Sequence, residues 1–149
     1  MFNHIVSERI ANQTENKVLL GDALQLTGRG SWFVATEEEL STLQPRVDSS
    51  ELTITAALPG DGELGTQFDA LSFETKCLEN YNTFIALMKS ERVSPARRAA
   101  IVKPQNFHWQ WLDANTLKLN FFLSSGCFAT SLVREIINQE SADVENFIE

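Results

Sequence analysis

Residues 107–123 constrain the fold more than any other stretch. Phe107, Trp109 and Trp111 alternate with His108, Gln110 and Leu112, and Leu117, Leu119, Phe121 and Leu123 repeat the same two-residue period. Successive side chains of a strand point to opposite faces, so this spacing fits strands rather than helices. Asp113-Ala114-Asn115-Thr116 separates the two runs with turn-forming residues. The stretch therefore predicts an antiparallel hairpin with one apolar face.

Elsewhere the period lengthens. Phe2, Ile5, Val6 and Ile10 share one helical face. Leu71, Leu78, Tyr81, Ile85 and Met88 do the same within a helix expected over about residues 68–92. Strand-like runs occupy Val18–Leu26, Ser31–Ala35 and Leu52–Leu58, the last ending at the turn Pro59-Gly60-Asp61-Gly62. Thr36-Glu37-Glu38-Glu39 has the form of a capping box. A helix should follow it to Val47, and Pro45 is expected to break that helix early. Ser94-Pro95 should stop the long helix and start a short one carrying Arg97 and Arg98. A last helix is expected over Phe128–Asn138, after a turn at Gly126. Strands and helices mix without a βαβα rhythm, which predicts an α+β fold on antiparallel sheet.

The length of 149 residues fits one ordinary domain, and 43% apolar with 21% charged residues marks a globular chain. No apolar run approaches the ~20 residues of a membrane helix. The start lacks a basic segment followed by an apolar one, so the expected compartment is the cytoplasm. Cys77 and Cys127 are expected to be reduced. A net charge of −8 argues against nucleic acid as a partner of the bulk surface. Its distribution is less hostile. Lys89, Arg92, Arg97, Arg98 and Lys103 face only Glu91 within residues 89–103, while acidic groups gather at Glu37–Glu39 and from Glu135 to Glu149. Arg92, Arg97, Arg98 and Lys103 are thus candidates for an RNA backbone, and solvated helix ends explain them equally.

Few residues offer other chemistry. His4 and His108 stand far apart, and no Cys pair or His-x-x-x-His spacing exists, so no metal site is expected. Cys127 with His108 and Asp113 would make a thiol set, but a small residue packed at a turn is the simpler role. Gly28-x-Gly30 and Gly60-x-Gly62 lack the third glycine and helix of a nucleotide loop. Phe107, Trp109 and Trp111 fit either a base-stacking platform or, more simply, the buried face of the hairpin. Asp22, Asp48, Asp61, Asp69, Asp113 and Asp143 fall in turns, at helix ends or in the tail, and none is placed as a general base or nucleophile. Phe128, directly after a glycine turn, is either an apolar plug or a ring presented at a cleft, and the residues alone favour the plug.

Gly21-Asp22-Ala23-Leu24-Gln25-Leu26-x-Gly28-Arg29-Gly30-Ser31-Trp32-Phe33-Val34 and Phe128-Ala129-Thr130-Ser131-x-Val133-Arg134-Glu135 resemble the C-terminal part of the tRNA pseudouridine synthase D family. Thr53–Thr66 and Ala96–Ala99 extend the likeness, which runs from Phe2 to about Asn138. The resemblance implies an enzyme that isomerises uridine in tRNA: uracil is detached, rotated and rejoined through carbon, with no metal or organic cofactor. It implies tRNA as partner and no membrane. Such chemistry needs an aspartate, an extruded base and a ring to hold it. On the family template, residues 1–103 are the later part of an inserted domain. Residues 104–149 are the last hairpin and helix of the catalytic domain. Phe128 matches the active-site aromatic, reversing the plug reading, and Arg134 is placed to pair with a core carboxylate or the pocket.

The departures matter as much. Neither a Gly-x-Lys-Asp-Lys-like string, which holds the family's catalytic aspartate, nor an Asn-x-Phe-Gly-x-Gln-Arg-Phe-Gly-like string occurs. The expectation is therefore a C-terminal fragment, inactive alone, whose candidate partner is the missing N-terminal half. It would arise from a truncated frame, a split gene or an engineered piece, and an apolar face beginning at residue 2 agrees with that. The last hairpin would then expose an edge and an apolar face. The competing expectations are a non-catalytic RNA-binding module and a decayed remnant. An active short enzyme would need one of the six aspartates named above to act, Asp22 and Asp113 being the first to replace.

Overall fold

The structure, a computed structural model, describes residues 1–124 and 127–137. The expected turn at Gly126, the end of the last helix at Asn138, Asp143 and the acidic tail beyond Ile137 lie outside the described residues. The chain is α+β and divides into two compact units, Met1–Ile101 and Val102–Glu149.

The first unit is built on a four-stranded antiparallel sheet. Its strands are β1 (Ala23–Leu26), β2 (Trp32–Val34), β3 (Leu52–Leu58) and β4 (Ala96–Ala99), in the order β2-β1-β3-β4. Helices α1 (Phe2–Ala11), α2 (Leu40–Asp48), α3 (Phe68–Leu78) and α4 (Asn82–Ser90) accompany it. β3 is central because its residues are small or β-branched and nearly all buried. It contributes Leu52 and Ile54 to one core cluster with Val18, Leu24, Leu43 and Val47. It contributes Ala56 and Ala57 to a second, with Ile5, Cys77 and Leu78.

Three local expectations are corrected here. Pro45 does not break α2, which runs through it to Asp48. Leu43 and Val47 are buried on either side of it, and Gln44 accepts from Val18 N–H (2.9 Å) and donates to the Asn16 carbonyl (2.9 Å). Packing on one face and anchoring on the other offset the one backbone bond that proline removes. The long helix expected to Arg92 is broken instead by a 3-10 turn at Glu79–Tyr81. Residues 96–99 form strand β4, not a helix: Thr55 to Leu58 offer an open edge, and Ala96–Ala99 pair along it. A tertiary edge outweighs the local Ser-Pro helix signal. The capping box at Thr36 and Glu39 is present, although it opens on a 3-10 turn (Glu37–Glu39) before α2.

The second unit holds β5 (Gln105–Trp111), β6 (Leu117–Phe122) and α5 (Ala129–Ile136). β5 and β6 form the expected antiparallel hairpin, with Trp109 opposite Leu119 and Trp111 opposite Leu117. The Asp113 carboxylate accepts from the Asn115 N–H (2.8 Å), and Leu112 N–H donates to the Thr116 carbonyl (2.9 Å), which closes the turn. These contacts, the Asn115 N–H first, hold Asp113 below the usual carboxylate range.

Candidate functional site

Two groups of residues need separate description, one in each unit. In the first unit the sequence offers a carboxylate where an apolar residue belongs. Glu74 follows Ala70 by four residues and precedes Cys77 and Leu78 by three and four, so it shares the buried face of α3. A buried carboxylate requires a cation and hydrogen bonds. Arg97 on β4 supplies them. Its Nη2 lies 2.7 Å from Glu74 Oε1 and its Nη1 3.0 Å from Oε2, a bidentate pair with side chains 2% and 0% exposed. Its remaining N–H groups donate to Thr55 Oγ1 (2.7 Å), the Thr55 carbonyl (2.8 Å) and the Leu64 carbonyl (2.5 Å). All five guanidinium N–H donors are thereby used. Glu74 also accepts from Thr66 Oγ1 (2.9 Å) and Ala57 N–H (3.2 Å).

Arg97 is therefore withdrawn as an RNA-backbone candidate, since its charge is spent inside the fold. The other three basic candidates differ in their surroundings. Arg98 sets its guanidinium carbon 4.0 Å from the centroid of the Phe2 ring. Arg92 is exposed, as the last residue of a turn in which it takes a positive φ of 51°. Lys103 is exposed in the second unit.

A second buried pair went unread in the sequence. Arg9 on α1 donates through Nη2 to Asp22 Oδ1, with both side chains fully buried, and Asp22 Oδ2 accepts from Leu19 N–H (2.7 Å). Burial pushes the Asp22 carboxyl up, opposed by the Arg9 charge. Asp22 lies at the expected turn, where its N–H donates to the Leu19 carbonyl (3.1 Å), and its side chain is a structural ion-pair member. The signal was available: Arg9 sits one residue before Ile10 on a helix whose Ile5 is buried, at the four-residue spacing of one face. Cys77, beside this core, has its thiol pushed up by burial.

In the second unit the hairpin and α5 carry the candidate substrate contacts. Phe107, Trp109 and Trp111 are 37%, 64% and 57% exposed, so the expected buried face is corrected. A two-stranded sheet has no second layer of its own, and the apolar face stays open. Phe107 stacks on Phe121 at 6.0 Å between ring centroids. Phe128 occupies the N-cap position of α5 with an extended backbone and is 64% exposed. Arg134 lies in the last turn of the same helix and is exposed. Cys127 is partly buried, and its N–H donates to the Ser124 carbonyl (3.2 Å). Among the described residues no three His, Cys, Asp or Glu side chains converge as metal ligands, and no helix is long and apolar enough to cross a membrane.

Three comparisons bear on these features. A sequence profile of tRNA pseudouridine synthase D matches residues 1–136. The tRNA pseudouridine synthase D of Pectobacterium atrosepticum is 55% identical over 145 residues, 97% of this chain and 42% of that protein. A crystal structure of a Methanosarcina mazei protein assigned to tRNA pseudouridine synthase D superposes with a TM-score of 0.66 at 23% identity. It covers 90% of this chain and 35% of that one, and it shows a shared fold. The chain belongs to the tRNA pseudouridine synthase D family. It spans less than half the length of the curated relative it matches.

Proposed function

We propose that this chain is the C-terminal part of a tRNA pseudouridine synthase, with tRNA as substrate, the cytoplasm as compartment and no turnover by the chain alone. What carries the reading is the conjunction of two facts. The family profile runs over residues 1–136, yet the Gly-x-Lys-Asp-Lys-like string that holds the family's aspartate is absent from the sequence. Two of the aspartates present support the same division. Asp22 is buried against Arg9, and Asp113 is tied into the hairpin turn. A nucleophile or base must reach substrate, and neither carboxylate is arranged to do so.

In this reading residues 1–103 are the later part of the inserted domain and residues 104–149 the end of the catalytic domain. The exposed face of Phe107, Trp109 and Trp111 is then the seat of the missing N-terminal half, which brings the aspartate. Phe128 holds the extruded base by stacking, where an aromatic face is worth about 1–3 kcal/mol per base. Arg134 supports the pocket by pairing with a carboxylate. Arg92, Arg98 and Lys103 contact the RNA backbone as point charges. Isomerisation breaks the bond from the sugar to N1, forms one to C5, gives up the C5 hydrogen to solvent and leaves a hydrogen on N1; the chain's own contribution is to bind and orient.

The test is release of tritium from C5 of uridine in an unmodified tRNA transcript. The 149-residue chain alone should release none above buffer. Addition of the portion of the Pectobacterium protein outside the matched segment should restore release. Turnover by the chain alone would overturn the division of labour, and a silent mixture would overturn the companion half.

A further inference from the structure

We infer that Trp32, with Arg29 three residues before it, forms a second stacking site that takes an unpaired base of the RNA, in the unit that does not contain Phe128. The inference rests on the proposed reading of RNA as substrate and adds a contact that reading does not require. Trp32 opens β2, an edge strand of the four-stranded sheet, and pairs with Gln25 of β1. Its side chain is 41% exposed. The ring is nonetheless seated. A Cβ added to Gly65 would lie 2.7 Å from Cη2 and 3.0 Å from Cζ2 of Trp32, and 3.4 Å from Cδ of Arg97. Gly65 has a φ of +85°, where glycine is the favoured residue. One edge of the indole thus rests on bare backbone next to an arginine fixed by five hydrogen bonds.

A ring held in place before binding loses little freedom when a ligand stacks on it. The neighbouring loop supplies charge. Arg29 is exposed between Gly28 and Gly30, and a Cβ added to either glycine would meet nothing within 4 Å. Arg29 N–H donates to the Leu26 carbonyl (2.9 Å), which closes the turn, and the residue is exposed. An open ring three residues from a cation suits the alternating base and phosphate of a single strand. The Glu37–Glu39 run follows β2 at its other end. A duplex would satisfy only the cation, because its base faces are already stacked.

The test uses the 149-residue chain with Trp109→Phe and Trp111→Phe, which leaves Trp32 as the sole indole. Titration with an unmodified tRNA transcript should quench Trp32 emission. Trp32→Leu, which keeps an apolar side chain against Gly65, should bind the transcript about tenfold more weakly, and Trp32→Phe should retain most of the affinity. Arg29→Ala should lower the slope of log affinity against log salt by about one. Circular dichroism checks the fold of each variant. If Trp32→Leu fails to fold, the quenching titration decides alone. Unquenched emission while the transcript binds would overturn the inference and leave the proposed function standing. Equal quenching by a blunt RNA duplex would overturn it as well. No binding of the transcript by the unaltered chain would overturn both.

Discussion

Replacing Glu74 by Leu should unfold the first unit far more readily than its single-residue size implies. The substitution leaves the Arg97 guanidinium, 2% exposed, without its carboxylate. Removing one partner of a buried, hydrogen-bonded pair costs about 3–5 kcal/mol, because the remaining charge is stranded at low dielectric. A domain of this size has only about 5–15 kcal/mol of stability in all. Loss of about 4 kcal/mol corresponds to a drop in melting temperature of roughly 15–30 °C. Urea unfolding read through Trp32 emission, with Trp109 and Trp111 replaced by Phe, isolates the first unit. Arg97→Met should be similarly damaging, since it strands Glu74 together with the Leu64 and Thr55 carbonyls. The double variant Glu74→Leu/Arg97→Met should be no worse than either single one, a coupling well above the few tenths of a kcal/mol seen for independent sites. A loss below about 1 kcal/mol for Glu74→Leu would place the pair in solvent and refute the reasoning, as would simple additivity.

Three further outcomes follow from the same structure. Gly21→Ala should cost more than about 1 kcal/mol in thermal unfolding. Gly21 has φ +82°, and its Cβ would lie 2.0 Å from the Gln67 carbonyl oxygen, so neither backbone can yield cheaply. Glu51 is held below its ordinary value first by the Arg46 hydrogen bond (2.7 Å). The folded value lies below the unfolded one, so this contribution is present above the unfolded value and lost as pH falls through the folded one. Carbon NMR of the Glu51 carboxyl should show the low midpoint, and Arg46→Ala should raise it; an unmoved midpoint would refute the assignment. Replacing Trp109 and Trp111 by Ser should cut binding of an apolar dye to the isolated chain, and undiminished dye binding would mean the hairpin face is covered.

What the sequence made legible was local. The hairpin follows from a strict two-residue period and four turn residues, and β3 from a β-branched run ended by Pro59-Gly60. The capping box at Thr36 is a contact between residues three apart. What it hid depends on distant partners. Arg97 reads as one more basic residue until β4 is paired to β3 and Glu74 is found across the sheet. The Ser94-Pro95 helix signal is real chemistry, outweighed by an open strand edge 40 residues away in sequence. Trp109 and Trp111 alternate as core residues do, and only the fold shows that the two-stranded hairpin leaves them exposed. Phe128 illustrates the remaining case: its residue type fits a plug or a presented ring, and the sequence alone does not show that it stands 64% exposed at the N-cap of α5.

The central claim is that the catalytic aspartate is encoded outside this chain. The most direct measurement is the DNA sequence immediately upstream of the Met1 codon. A Gly-x-Lys-Asp-Lys-like motif is expected there, in phase with Met1 or in a separate frame whose product joins this chain. A stop codon close upstream, with no second frame encoding that motif, would contradict it.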